Sequence, residues 1–110
     1  MKKTVVEIQN LCRQIVENFN PQKIILFGSH AYDEPSSDSD VDLLVVMDFD
    51  GRGVEQAIKI RQSISGKMAL DLLVRTPAQI EERLSLGDFF VKEITERGRV
   101  LYEADNAGMD

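Results

Sequence analysis

The sequence predicts an α/β or α+β domain in which a sheet of about four strands carries helices mainly on one face. Apolar residues recur at helical spacing between residues 4 and 19, and short β-branched apolar runs follow at KIILF, VDLLVVM and MALDLLV. A length of 110 residues with 43% apolar side chains suits one hydrophobic core. We therefore expect a single domain over residues 1–104, followed by a polar tail at 105–110.

The expected elements follow the order α-β-turn-β-α-β-α-α-β. A capping box at Thr4 opens the first helix, and similar signals at Thr76 and Asp88 open the last two. Gly66 is expected to end the second helix, and 33–39 forms a loop. Helices are expected at 4–19, 52–65, 77–87 and 89–97, and strands at 23–27, 41–47, 68–74 and 99–103.

The charge of the chain limits its partners. Its formal net charge is −6, and the segment 24–51 contains seven Asp or Glu and no Lys or Arg. Because phosphate backbones and anionic lipids are bound mainly by Lys and Arg, we expect neither a nucleic-acid template nor a membrane partner. Without a secretory leader or membrane span, a cytoplasmic location is expected. Cys12 is expected to be a buried apolar residue and not a nucleophile.

Three aspartates occupy strands that are otherwise apolar. Asp40 and Asp42 are two residues apart, so on a strand both point to one face, roughly 6–7 Å from each other. Asp71 lies in an equally apolar strand that could pair beside the first. Three converging carboxylates would repel one another unless a divalent cation neutralised them, so these residues are the predicted metal ligands and catalytic groups.

A possible phosphate site precedes these carboxylates. Gly28 and Ser29 follow the first predicted strand, where glycine permits a tight turn and the following backbone amides can contact a phosphate. The Ser29 hydroxyl adds another donor. A nucleotide-binding turn beside a metal site is what a reaction on a nucleoside triphosphate requires.

Together these motifs resemble a known family. Gly28-Ser29, ten intervening residues, Asp40-Val41-Asp42-Leu43 and the later Asp71 are similar to the signature of polymerase-β-like nucleotidyltransferases. The resemblance extends over almost the whole chain for the minimal nucleotidyltransferase group, which includes MntA-like antitoxins. It implies a mixed sheet, two Mg²⁺ ions bound by Asp40 and Asp42, and Asp71 as the third carboxylate, near the acceptor hydroxyl. It also implies ATP or another NTP as substrate.

The same resemblance suggests a partner. Many members of the group are encoded beside a small helical toxin of the HEPN type, and some transfer AMP to a tyrosine of that toxin. The chain departs from the pattern at His30 and Asp33, where relatives often carry arginine and glycine.

Two alternatives to protein modification remain open. The chain could transfer a nucleotide to a small molecule such as an aminoglycoside, with the acceptor pocket completed in an oligomer. It could also be a non-catalytic module that masks a toxin surface. Tyr32 could stack on a base, whereas Phe89, Phe90 and Ile94 are expected to form core or an interface stripe and not a cofactor pocket.

Overall fold

The computed structural model describes residues 3–32, 40–64 and 69–104. The predicted loop at 33–39, the closing Gly66, the strand start at Met68 and the tail at 105–110 lie outside these ranges. The elements in chain order are α1 (Lys3–Phe19), β1 (Lys23–Phe27), α2 (Ser29–Tyr32), β2 (Val41–Val46), α3 (Gly53–Ser63), β3 (Leu70–Arg75), α4 (Pro77–Ser85), α5 (Phe89–Arg97) and β4 (Arg99–Glu103).

The four strands form one mixed sheet in the order β3-β2-β1-β4. β1 pairs antiparallel with both β2 and β4, whereas β2 and β3 run parallel and are connected through α3. The expected fold class is therefore confirmed. Parallel pairing places equivalent ends of β2 and β3 at the same edge of the sheet, which determines where their aspartates meet.

The larger core cluster lies between one face of the sheet and helices α1 and α3. Ile15 of α1 and Ile60 of α3 are fully buried there. They pack with alternate strand residues, which include Ile24, Leu26, Leu43 and Val45. Cys12 belongs to the same cluster, which confirms its assignment as a buried apolar residue.

A smaller cluster covers the opposite face. It contains Ile25, Leu44 and Val46 beneath Ile94 of α5, with Ile80 of α4 packed against it. Helices α1 and α3 cover the face with the larger cluster, as expected, whereas α4 and α5 cover part of the other face. The physical reason is that β1 and β2 are apolar at successive positions, so both of their faces must be shielded from water.

The last two helices, α4 and α5, begin at their predicted capping residues. The Thr76 hydroxyl accepts from the Gln79 amide at 3.1 Å and the Gln79 side chain accepts from the Thr76 amide at 3.0 Å, which confirms the predicted capping box. Asp88 caps α5 by accepting from the Val91 amide at 3.1 Å. α1 includes Lys3 and Thr4, and the side chain of Thr4, on which the predicted capping box depends, lies outside the described part of the chain. Within the described ranges, no helix combines the length and apolar character needed to cross a bilayer.

Candidate active site

The turn after β1 brings its backbone against a carboxylate. Gly28 has a φ of +78°, a conformation that residues with a β-carbon rarely adopt. The preceding residue, Phe27, is paired with Asp42 across the antiparallel strands. A β-carbon on Gly28 would overlap Oδ2 of Asp42. Glycine is therefore required here both by the backbone conformation and by the close approach of the aspartate.

Asp42 and Asp71 lie side by side on neighbouring strands. They are direct partners in the parallel pairing of β2 and β3, so their side chains leave the same face of the sheet. Asp71 is near enough to raise the pKa of the Asp42 carboxyl group. Asp42 is half-buried and Asp71 is exposed. The structure thus brings together two of the three predicted ligands.

The surroundings of Asp42 disfavour its charged form. Burial is the main cause that raises the pKa of its carboxyl group, followed by the hydrogen bond and negative charge of Asp71 and by the charge of Asp40. The nearby His30 acts in the opposite direction and lowers that pKa. At neutral pH the site therefore concentrates negative charge in partly desolvated surroundings, and a cation would relieve it.

Asp40 stands at the edge of this pair. It is exposed and directly precedes β2, whose first pairing with β3 joins Val41 to Leu70. Across residues 3–32, 40–64 and 69–104, no three Asp, Glu, His or Cys side chains lie close enough to hold one metal ion. Asp40 therefore acts on Asp42 through its charge, while Asp42 and Asp71 form the close pair.

The donor set fits a hard divalent cation. Mg²⁺ prefers oxygen ligands and is usually bound by one or two carboxylates together with substrate phosphates and water. Asp42 and Asp71 supply two such carboxylates on one face of the sheet. Asp40 is near enough to raise the pKa of Asp42 through its charge, and it adds to the negative potential that would attract a cation.

A cleft of about 560 Å³ opens beside the carboxylate pair. Its volume lies in the range of small-molecule sites, roughly 300–1,000 Å³. Carboxylates and glycine line one part and apolar side chains line the other. The lining residues are Phe27, Gly28, Asp42, Asp71, Leu72, Leu73, Phe90, Glu93 and Ile94.

The aromatic and polar residues that the sequence analysis singled out near the site have different outcomes. The side chains of Ser29 and Tyr32, like the whole of Asp33, lie outside the described part of the chain. Ile94 is a core residue, as expected. Phe90 is half-exposed and, together with Ile94, lines the cleft that contains the carboxylates, although neither was expected to belong to a cofactor pocket. No local pattern signals this role, because the docking of α5 on the sheet determines where Phe90 points.

One solved structure supports the fold. A Sulfolobus solfataricus protein described as a putative nucleotidyltransferase is similar over 94% of this chain and 90% of its own, with a TM-score of 0.61 and 14% identity. At this identity the likeness concerns the fold. No curated protein is significantly similar to the chain.

The family match, together with the fold, places the domain in the nucleotidyltransferase class. A family model described as "Polymerase beta, Nucleotidyltransferase" matches residues 9–107, which is nearly the whole chain. The chain therefore belongs to the polymerase beta nucleotidyltransferase family.

Proposed function

We propose that this chain is a Mg²⁺-dependent nucleotidyltransferase that transfers AMP from ATP to a hydroxyl group of a partner protein. The observation that carries the proposal is the pairing of Asp42 with Asp71 on neighbouring strands, where both residues line a cleft bordered by Gly28. Two strand carboxylates beside a glycine turn suit a reaction that depends on positioning and on neutralisation of phosphate charge.

Each residue has a distinct task in this reaction. Asp42 and Asp40 would hold the cation that accompanies the triphosphate, and the turn at Gly28 and Ser29 would bind phosphate through backbone amides. When bound, Mg²⁺ neutralises phosphate charge and favours deprotonation of the attacking hydroxyl. Asp71, the exposed member of the pair, faces the acceptor and accepts the proton of that hydroxyl.

The transfer balances without a further reactant. The acceptor oxygen forms a bond to the α-phosphorus of ATP, and the bond from that phosphorus to the oxygen bridging to the β-phosphate breaks. Pyrophosphate leaves with the electron pair, and the acceptor proton passes to Asp71. The products are an AMP-carrying hydroxyl and pyrophosphate.

We propose further that the acceptor belongs to a helical toxin of the HEPN type, for which this chain is the antitoxin. Two observations support a macromolecular acceptor: the resemblance to the minimal nucleotidyltransferase group, and the exposure of Asp71 at the carboxylate pair. An exposed carboxylate can be reached by a hydroxyl that projects from another protein. A small helical protein with an Arg-x4-6-His motif in the neighbouring reading frame would identify the partner to use.

The test is mass spectrometry of the partner after incubation with ATP and Mg²⁺. After incubation with the parent chain, the partner should have gained the mass of AMP. With Asp71→Asn the partner should gain no mass, although this variant should still bind Mg·ATP in calorimetry. Asp42→Asn should neither modify the partner nor bind Mg·ATP. Asp48→Asn is the matched control, because Asp48 is exposed just beyond the opposite end of β2 and should leave both readouts unchanged.

The outcomes separate the competing functions. If the partner stays unmodified and is inhibited equally by the parent chain and by Asp71→Asn, the nucleotide-transfer hypothesis is wrong. The chain would then be a non-catalytic module that masks the toxin surface. A partner that stays active and unmodified, while an aminoglycoside acquires AMP, would establish the small-molecule acceptor.

A further inference from the structure

The cleft beside the carboxylates also has apolar lining residues. Phe27 and Phe90, whose rings are in edge-to-face contact, and Leu73 line the same cleft as Asp42 and Asp71. An NTP has the same two kinds of surface, since its triphosphate is charged and its base is flat and largely apolar on its faces. The carboxylates therefore suit the metal-bound triphosphate, and the aromatic pair suits the base.

We infer that the ring of Phe90 forms the nucleobase subsite, against which the base of the NTP stacks. The inference rests on the proposed function, because it assumes that Asp42 and Asp40 hold the metal-bound triphosphate. It assigns Phe90 a direct contact with substrate that neither the family match nor the carboxylate motif provides.

The Phe90 ring is held in place and yet remains accessible. Its centroid lies 5.7 Å from that of Phe27, and the rings are inclined by 82°, the edge-to-face arrangement that aromatic pairs favour. The neighbouring Val91 is buried and its amide is bonded to Asp88, which anchors the first turn of α5. Phe90 nevertheless keeps 52% of its surface exposed. An oriented, half-exposed ring is suited to stacking.

The composition of the cleft opposes the reverse orientation of the substrate. None of the described residues that line it is Lys or Arg, and the Arg97 guanidinium beside Glu93 is already paired with that carboxylate at 3.1 Å. Asp42 would bind phosphate through a divalent ion, which places the phosphates there and the base at Phe90.

The adjacent Phe89 provides a matched control on the same helix. It is 82% exposed and, unlike Phe90, is not among the residues that line the carboxylate cleft. Both substitutions to alanine remove the same atoms from the first turn of α5. Only Phe90→Ala removes the proposed stacking surface.

The experiment compares Mg·ATP with Mg·tripolyphosphate, which has the charge-bearing chain but no base, by calorimetry. Base–aromatic stacking contributes about 1–3 kcal/mol. Phe90→Ala should therefore weaken ATP binding by about tenfold to a hundredfold. Tripolyphosphate binding should be unchanged, and Phe89→Ala should alter neither ligand. Thermal unfolding of each variant verifies that it is folded.

A second variant gives a direct signal and does not remove the ring. Phe90→Trp keeps an aromatic surface and introduces the only tryptophan of the chain. Mg·ATP should bind to it with an affinity near that of the parent and change its fluorescence, whereas Mg·tripolyphosphate should not change the fluorescence.

Three results would contradict the assignment of Phe90 to the nucleobase subsite. These are equal ATP affinity in the parent and Phe90→Ala, an equal loss for ATP and tripolyphosphate, or an unaltered Phe90→Trp fluorescence on saturation with ATP. The first result together with reduced partner modification would assign the ring to an aromatic acceptor side chain instead. A parent that binds neither ligand would reject the proposed function itself, which distinguishes that failure from loss of the base subsite alone.

Discussion

The carboxylate of Asp42 occupies the space above Gly28 that a β-carbon would fill. The relationship follows from the pairing of Phe27 with Asp42, which places the aspartate beside the residue that ends β1. Because Gly28 also has a φ of +78°, the turn and the carboxylate site depend on the same glycine.

Gly28→Ala should destabilise the protein more than Gly87→Ala. Gly87 has a nearly identical φ of +81°, but a β-carbon there would meet no atom within 4 Å. Gly87→Ala should therefore lower the free energy of unfolding only through backbone strain, by about 1 kcal/mol. Gly28→Ala adds a clash with Asp42 and should cost about 1–3 kcal/mol more. Urea denaturation of both variants measures the difference, and equal costs would show that the contact with Asp42 is easily relieved.

Neutralising Asp42 should leave the metal-free protein as stable as the parent or more stable. Burial and the neighbouring Asp71 and Asp40 raise the pKa of Asp42 above its value in the unfolded chain. Between these two values the folded chain binds more protons, so this group lowers stability as the pH rises. Asp42→Asn should therefore melt at or above the parent temperature at neutral pH.

The pH dependence provides the check on this prediction. The advantage of Asp42→Asn should shrink as the pH falls through the folded pKa, because the parent carboxyl group then becomes neutral as well. Addition of Mg²⁺ should also reduce the advantage, since the cation stabilises only the parent. Thermal melts across the acid range, with Asp48→Asn as control, measure both effects. A marked loss of stability in Asp42→Asn would mean that this carboxylate is structural.

The contribution of Asp88, the N-cap of α5, to stability should depend on pH in the opposite direction to that of Asp42. The hydrogen bond from the Val91 amide, followed by that from Arg83, lowers the pKa of Asp88. Asp88 therefore adds stability above its unfolded pKa, and this contribution is lost as the pH falls through the folded pKa. Asp88→Ala should lower the melting temperature at neutral pH, and the difference from the parent should narrow in acid.

Asp88→Asn separates the two contributions of this residue. Asparagine can still cap the helix but cannot form the 2.9 Å ion pair with Arg83. Because the pair is largely at the surface, we expect most of the stability to remain in this variant. A melting temperature as low as that of Asp88→Ala would assign the effect to the charge and not to the cap.

The Cys12 thiol should be unreactive in the native protein. It lies in the larger core cluster, and burial raises its pKa, so both access and the thiolate fraction are reduced. A chromogenic thiol reagent should label it slowly under native conditions and stoichiometrically in denaturing urea. As the chain has one cysteine, the signal reports this site alone. Rapid native labelling would show that α1 detaches readily from the sheet.

Local signals determined much of the fold. Helical spacing, short β-branched runs and the caps at Thr76 and Asp88 predict the order and approximate bounds of the elements. These signals suffice because each acts within a few residues along the chain. They place the start of α1 within one residue of its observed first residue, Lys3.

The sequence by itself identified Asp42 and Asp71 as unusual, because carboxylates in apolar strands require a compensating partner. Only the tertiary structure decided that they meet, through the parallel register of β2 and β3, and that Asp40 remains at the edge of the pair. The tertiary structure also decided that α4 and α5 cover the second face of the sheet and that Phe90 lines the cleft. The physical reason is that register and helix docking arise from packing between segments distant in sequence, which no local pattern encodes.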